Sequence, residues 1–196
     1  METWKNGDAE TWKNGNAKTR KRGNTETRKH GNAGGAADLD RVNRILRHPR
    51  FTGELERLAG IERDRVYCGH GMDHLVDVAR IAYILSLESE GKHEKELIYA
   101  AALLHDIGRA RQYEDETPHE KESARLAAVI LPECGFNGAE EALIVEAILA
   151  HRTRKGSGRR DFNGLLYSAD KLSRRCFECG AADDCDWEMK NTALVY

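Results

Sequence analysis

Two adjacent metal-capable side chains, His105 and Asp106, close the apolar run Ala101-Ala102-Leu103-Leu104. Successive helical residues point about 100° apart, so neighbours share one ion only where a second helix meets theirs. Partners must therefore come from elsewhere in the chain. His74, His119, His151 and Asp170 qualify, because each extends an apolar stripe at helical spacing: His74 with Val78, Ile81 and Leu85; His119 with Ser123, Ala127 and Ile130; His151 with Ile144, Ala147 and Ile148; Asp170 with Leu166. His105 continues the stripe of Ile98 and Ala101 in the same way. Offsets of three, four, seven and eight mark one face of an amphipathic helix, so these groups point toward a common core. Any one such histidine alone reads best as a hydrogen-bonded core residue. Several ionisable groups buried together cost several kcal/mol each unless partnered, and a metal relieves that cost. Neutral imidazoles with carboxylates suit Mn, Fe, Zn, Co or Ni better than Ca.

The ordered set His, His-Asp, His, His, Asp resembles the HD-domain superfamily of metal-dependent phosphohydrolases, an all-helical fold. The resemblance spans about residues 38–172 and rests on HDIGR at 105–109, HxxxxAR from His74, HEKESA from His119, AILAHR ending at Arg152, and ADKL at 169–172. It implies that His74, His105, Asp106 and Asp170 hold a first metal and that His119 and His151 hold a second, with Asp106 bridging. Ions about 3.5–4 Å apart would then polarise a water between them. Phosphoryl transfer also needs cations on the phosphoryl oxygens. Arg109, Arg152 and Lys171 each lie close to a ligand in sequence, and Arg109, four residues after His105, is the strongest of them. In the similar dinucleoside-tetraphosphate hydrolases the positions after the HD pair also carry a basic phosphate contact. His70, one helical turn before His74, is either a proton shuttle, an orienter of the ligands or a helix cap.

A second candidate site is built of sulfur. Cys176, Cys179 and Cys185 follow Asp170 closely, and Cys68 stands beside His70; together they supply four thiolates for Zn or an iron–sulfur centre, with Cys134 a rival to Cys68. The run is similar to a cysteine-bearing C-terminal extension in a subset of bacterial HD proteins. Ordinary reduced thiols are the competing reading. An odd count of five cysteines and no hydrophobic signal core argue against a disulfide framework.

The elements that must position these groups are helical. With 40% hydrophobic and 33% charged residues, only three prolines and four phenylalanines, the 196-residue chain suits a single helical domain with a substantial core. Asp38 is a plausible cap for a helix through Ile45, and a short helix is expected at 53–59. Longer helices are expected at 72–90, ended by Gly91, and at 94–107, ended by Gly108. Pro118 should open the His119 helix and Pro132 end it, with Gly138 preceding the helix that leads to His151. The basic Gly/Ser loop 152–160 suggests a lid over the metals.

Residues 1–36 are an imperfect eight-residue repeat with Gly at each sixth position, which interrupts any helix and leaves no apolar face. They are expected to be disordered, ahead of an HD domain at 37–175 and a cysteine-containing extension at 176–196. The tail holds eight Lys or Arg against four Asp or Glu, which leaves the remainder near −6 in a chain of net −2. A strong nucleic-acid partner is therefore not expected; the basic tail, with Trp4 and Trp12, reads best as an inert extension, with weak contact to RNA or an acidic surface the alternative. No apolar run approaches the roughly 20 residues that span a bilayer, so no membrane partner and a cytoplasmic location are expected. P-loop, GxSxG and Rossmann signals are absent. The expected activity is metal-dependent hydrolysis of a nucleotide or other small phosphorylated substrate. A diiron oxygenase with a similar ligand set, and a non-catalytic nucleotide, metal or redox sensor, are the alternatives.

Overall fold

Apolar periodicity is realised as helix throughout the computed structural model, which describes residues 39–153 and 161–196. The repeats at 1–36, Asp38 and residues 154–160 of the basic loop lie outside the described residues, and so do the expectations of disorder and of a lid. Among the described residues there are eight α-helices, a 3₁₀ turn at Cys176–Glu178 and no strand. The helices are α1 (Asp40–Arg47), α2 (Pro49–Ile61), α3 (Met72–Glu88), α4 (Lys95–Leu104), α5 (Arg109–Asp115), α6 (His119–Glu133), α7 (Gly138–Ala150) and α8 (Phe162–Leu172).

Four of them form a ring: α3 packs on α4 and α8, and α7 packs on the same two, while α6 covers the outside of α7 and α5 bridges α2 to α6. Within this ring α4 is apolar on nearly all sides, and Leu97, Ile98, Ala100, Ala101, Ala102, Leu103 and Leu104 are all buried. A helix apolar all round belongs at the centre of a domain, where each fully buried leucine stabilises by roughly 1.5–3 kcal/mol. Ile144, Ala147 and Ile148 of α7 and Leu75, Val78 and Ile81 of α3 close the same core.

Several boundaries depart from the sequence expectation, each for a local reason. The helix expected at 53–59 starts at Pro49, because proline suits the first helical position and the His48 ring accepts the Arg50 N–H at 3.2 Å. The helix expected at 94–107 stops at Leu104; residues 105–108 turn, and a separate helix α5 begins at Arg109. Pro132 does not end α6 but sits inside its last turn, where the Cys134 N–H still reaches the Ile130 carbonyl at 3.0 Å. A capping box secures α7: the Asn137 side chain accepts from the Ala139 and Glu140 N–H groups, and the Glu140 carboxylate accepts from the Asn137 N–H.

Gly108 terminates its segment for a different reason from helix capping. A Cβ there would come within 2.5 Å of the Ser123 nitrogen and 2.7 Å of the His119 carbonyl. The missing side chain lets the turn after Asp106 lie directly on the start of α6, and the Gly108 N–H donates to Ser123 Oγ at 2.9 Å. His119 is thereby brought up to Asp106.

Candidate metal centre

The six sequence-selected His and Asp residues all sit at or near helix ends, and those ends meet. His74 lies in the first turn of α3, His105 follows the last residue of α4, His119 opens α6, His151 follows the last residue of α7, and Asp170 lies in the last turn of α8. Carbonyls in a last helical turn have spare acceptor capacity. Two ligand rings exploit it in the same way: His105 Nδ1 donates to the Ala102 carbonyl at 2.7 Å and His151 Nδ1 to the Ile148 carbonyl at 2.5 Å. His119 Nδ1 meets the Gln112 amide oxygen, and His74 Nδ1 lies 3.3 Å from Ser173 Oγ. With every Nδ1 facing an acceptor, the lone pair of each ring is left at Nε2.

Those Nε2 atoms converge on Asp106, one carboxylate oxygen to each pair. Oδ2 lies 3.6 Å from His74 Nε2 and 3.5 Å from His105 Nε2. Oδ1 lies 3.1 Å from His119 Nε2 and 3.6 Å from His151 Nε2. Asp170 Oδ1 completes the first group, 3.6 Å from His74 Nε2 and 3.9 Å from His105 Nε2. Two groups therefore have ligand atoms within 4.8 Å of one another: His74, His105, Asp106 and Asp170; and Asp106, His119 and His151.

The centre is internally unsatisfied. His74 Nε2, His105 Nε2 and both Asp106 oxygens are buried without a well-formed hydrogen bond, and such atoms cost about 1–3 kcal/mol each. His119 Nε2 and His151 Nε2 face each other at 3.2 Å, two lone pairs that repel unless a positive centre lies near them. Burial holds His105 down to about 3 and lowers His119 as well, which keeps these rings neutral and fit to ligate. Burial also opposes ionisation of Asp106 and Asp170, but the cations beside them, Arg109 at the former and Lys171 at the latter, keep both carboxyls ionised. Orphaned Nε2 atoms, paired carboxylates and imposed tautomers are a donor set that fits a divalent metal ion.

A cavity of about 510 Å³ opens beside His151 and Asp170, lined also by His70, Arg65, Arg109, Arg152, Lys171 and Arg174. Arg109 Nε lies 3.2 Å from Asp106 Oδ1, Lys171 pairs with Asp170, and Arg152 lies 3.3 Å from Glu120. The route to Arg109 differs from the expected one-helix face: the chain breaks at 105–108, and Arg109 reaches the centre from the first turn of α5. His70 is buried, its ring 5.7 Å from that of His74. Glu62 holds it: Oε1 lies 2.6 Å from His70 Nδ1 and accepts from Tyr113 Oη at 2.8 Å, while Oε2 accepts the His70 N–H at 2.8 Å. Burial works against the Glu62 carboxylate, yet these bonds bring it down to about 2, and burial together with Glu62 pushes the Tyr113 hydroxyl up to about 12.

Sequence reasoning missed Glu62, Gln112, Tyr113 and Ser173, the groups that orient the rings, because they reach the centre across turns that interrupt helical spacing. It also missed Arg174 and Trp187.

The thiolate site is corrected by the structure. All five cysteines are free, and among the described residues no cysteine belongs to a converging group of three or more potential ligands. Cys68 and Cys179 line a separate cavity of about 310 Å³. Burial pushes the Cys68 thiol up. Cys134 is buried beyond the end of α6. The C-terminal segment is tied down without sulfur: the Asn191 amide donates to the carbonyls of Lys171 (2.9 Å), Leu172 (3.3 Å) and Arg174 (2.7 Å).

Comparison with known proteins agrees with this geometry. The family model described as HD domain matches residues 71–186. A Clostridium beijerinckii protein, described only as an uncharacterized protein, is 42% identical over 160 residues, covering 81% of this chain and all of that protein. Ribonuclease Y of Sulfurimonas denitrificans is 32% identical over 126 residues, 61% of this chain, and the chain spans only 21% of that protein. Among solved structures, a predicted HD superfamily hydrolase from an uncultured Thermotogales bacterium has a TM-score of 0.49 at 23% identity, covering 67% of this chain and 72% of that one. No helix among the described residues is long and apolar enough to cross a membrane.

Proposed function

The chain belongs to the HD-domain family, and from that premise we propose that it is a metal-dependent phosphohydrolase acting on a phosphoester or phosphoanhydride of a nucleotide or other small phosphorylated substrate. One observation carries the reading: buried, unpartnered Nε2 and carboxylate atoms of His74, His105 and Asp106 converge behind His151 and Asp170, which line a cavity rich in arginine and lysine. His74, His105, Asp106 and Asp170 would hold one divalent ion, and Asp106, His119 and His151 a second. When bound, such ions supply Lewis acidity toward a phosphoryl oxygen and lower the pKa of an attacking water.

The chain's own residues do the rest. Arg109 and Lys171, each against a ligand carboxylate, bind phosphoryl oxygens and stabilise charge that builds up on them. Arg152 adds a cation at the mouth, where half its side chain is exposed. Glu62 fixes His70 through Nδ1, which leaves His70 Nε2 to hold or pass a proton in the cavity. Backbone carbonyls of α4 and α7 keep the ligand rings in one tautomer without conformational search.

The test is metal analysis joined to a substrate panel of phosphomonoesters, phosphodiesters and phosphoanhydrides, run with and without oxygen. The diester arm is included because one relative is named a ribonuclease. We expect about two transition-metal ions per chain, about one in His119→Ala, and phosphate-ester cleavage that is indifferent to oxygen. Asp106→Ala should lose turnover by a factor on the order of 10³ or more while keeping its helical content, since the apolar core does not depend on that carboxylate. An oxygen requirement with no phosphate-ester cleavage would favour the diiron oxygenase. A fully loaded protein inert in every arm would leave the sensor reading.

A further inference from the structure

The cavity lining divides into cations that touch the metal ligands and cations that do not. Arg109 and Lys171 belong to the first kind; Arg174 belongs to the second. Its Cζ lies 4.1 Å from the centre of the Trp187 ring, and its Nε is buried without a hydrogen-bond partner. Lys171 Nζ stands 5.4 Å from the same ring and 5.2 Å from that of Tyr167. Two cations this close to one indole are held by its quadrupole, an attraction of about 0.5–2 kcal/mol each depending on exposure. They repel each other all the same; Asp170 already pairs with Lys171, whereas Arg174 Nε has no hydrogen-bond partner, so a further anion would settle the pair.

The segment that carries Trp187 is fixed where it is needed. Asn191 clamps the carbonyls of Lys171 and Arg174 themselves, and the Trp187 indole N–H donates to the Met189 carbonyl at 3.1 Å. Outside the metal ligands the cavity lining has five cationic side chains, Arg65, Arg109, Arg152, Lys171 and Arg174, against the carboxylates of Asp186 and Glu188. Arg109, Lys171 and Arg152 are already set against Asp106, Asp170 and Glu120, whereas Arg174 rests on the Trp187 ring.

We infer that Lys171 and Arg174, positioned on Trp187 by the C-terminal segment, form a second anion subsite that takes a further phosphate, so that the favoured substrate carries two or more linked phosphates. The inference rests on the phosphohydrolase reading and names its substrate class: a phosphoanhydride in preference to a phosphomonoester. Trp187 is a positioning residue, acting through the two cations.

The experiment uses the full-length, metal-loaded protein. Binding of inorganic pyrophosphate and of inorganic phosphate is measured by calorimetry, and KM and kcat are measured for a nucleoside diphosphate and its monophosphate. The wild type is expected to prefer pyrophosphate over phosphate about ten-fold or more, the scale of one charge-assisted contact. Trp187→Ala and Arg174→Gln should erase that preference and raise KM for the diphosphate about ten-fold, with metal content retained; Trp187→Phe should recover most of it. Equal binding of the two anions by the wild type overturns the subsite, and so does a Trp187→Ala variant that weakens both anions alike. If no substrate is cleaved but pyrophosphate is preferred in a Trp187-dependent way, the phosphohydrolase reading fails and the anion subsite stands.

Discussion

Each ligand ring is set by a partner at its other nitrogen, and these partners separate what the sequence shows from what it hides. Histidines and aspartates at the ends of apolar stripes were legible because such residues are rarely buried without a purpose. Glu62 was not. Eight residues and a turn separate it from His70, so no periodicity links them. Its carboxyl falls from the ordinary value near 4.5 to about 2 in the folded protein. A depressed acid contributes stability that is complete above its unfolded value and is lost as pH falls through the folded one. Glu62→Gln should therefore lower stability at neutral pH, and the difference from wild type should shrink between about pH 4.5 and 2. Thermal melts of both proteins across that range check it, and parallel curves would remove Glu62 from the account. The same variant should reduce kcat through His70, with metal content unchanged.

Most helices were legible from periodicity, but neither α5 nor the turn before it, on which the centre depends, was. The run leading to His105 reads as one continuous helix through Ile107, and its break at 105–108 is a tertiary event: the chain stops spiralling so that Asp106 points between two helix pairs. Gly108 was legible as a terminator. Its contact with α6 was not, since nothing local encodes the approach of Ser123 and His119. Gly108→Ala should push α6 outward, costing about 1–3 kcal/mol as overpacking and moving His119 from Asp106. The expected readout is a lower melting temperature together with a selective loss of the second ion, measured by metal titration. Unchanged stoichiometry would mean that α6 absorbs the methyl elsewhere. Trp187 illustrates the opposite failure: the cysteines around it drew attention to sulfur, while the indole and Asn191 make the contacts.

At the scale of the whole molecule, residues 37–196 form one unit that includes every ligand and the C-terminal segment. Deleting residues 1–36 should leave turnover within about two-fold and the melting temperature within a few degrees, because the repeat sequence offers no apolar stripe to bury; a large loss in either would give the repeats a structural role. The ligands are drawn from positions 74 to 170, yet all lie at one pole of the ring of helices. If they hold metal as proposed, metal supply would be coupled to folding at that pole alone, since ions that bind only the native arrangement stabilise it by mass action. Under a chelator, amide hydrogen exchange should accelerate at the start of α3 and α6 and the close of α4, α7 and α8, while the opposite halves of α3 and α4 keep their protection. The proposed centre would thus give the fold a permanent end and a conditional one, and in a metal-poor cell the conditional end is where unfolding, and the proteases that follow it, would begin.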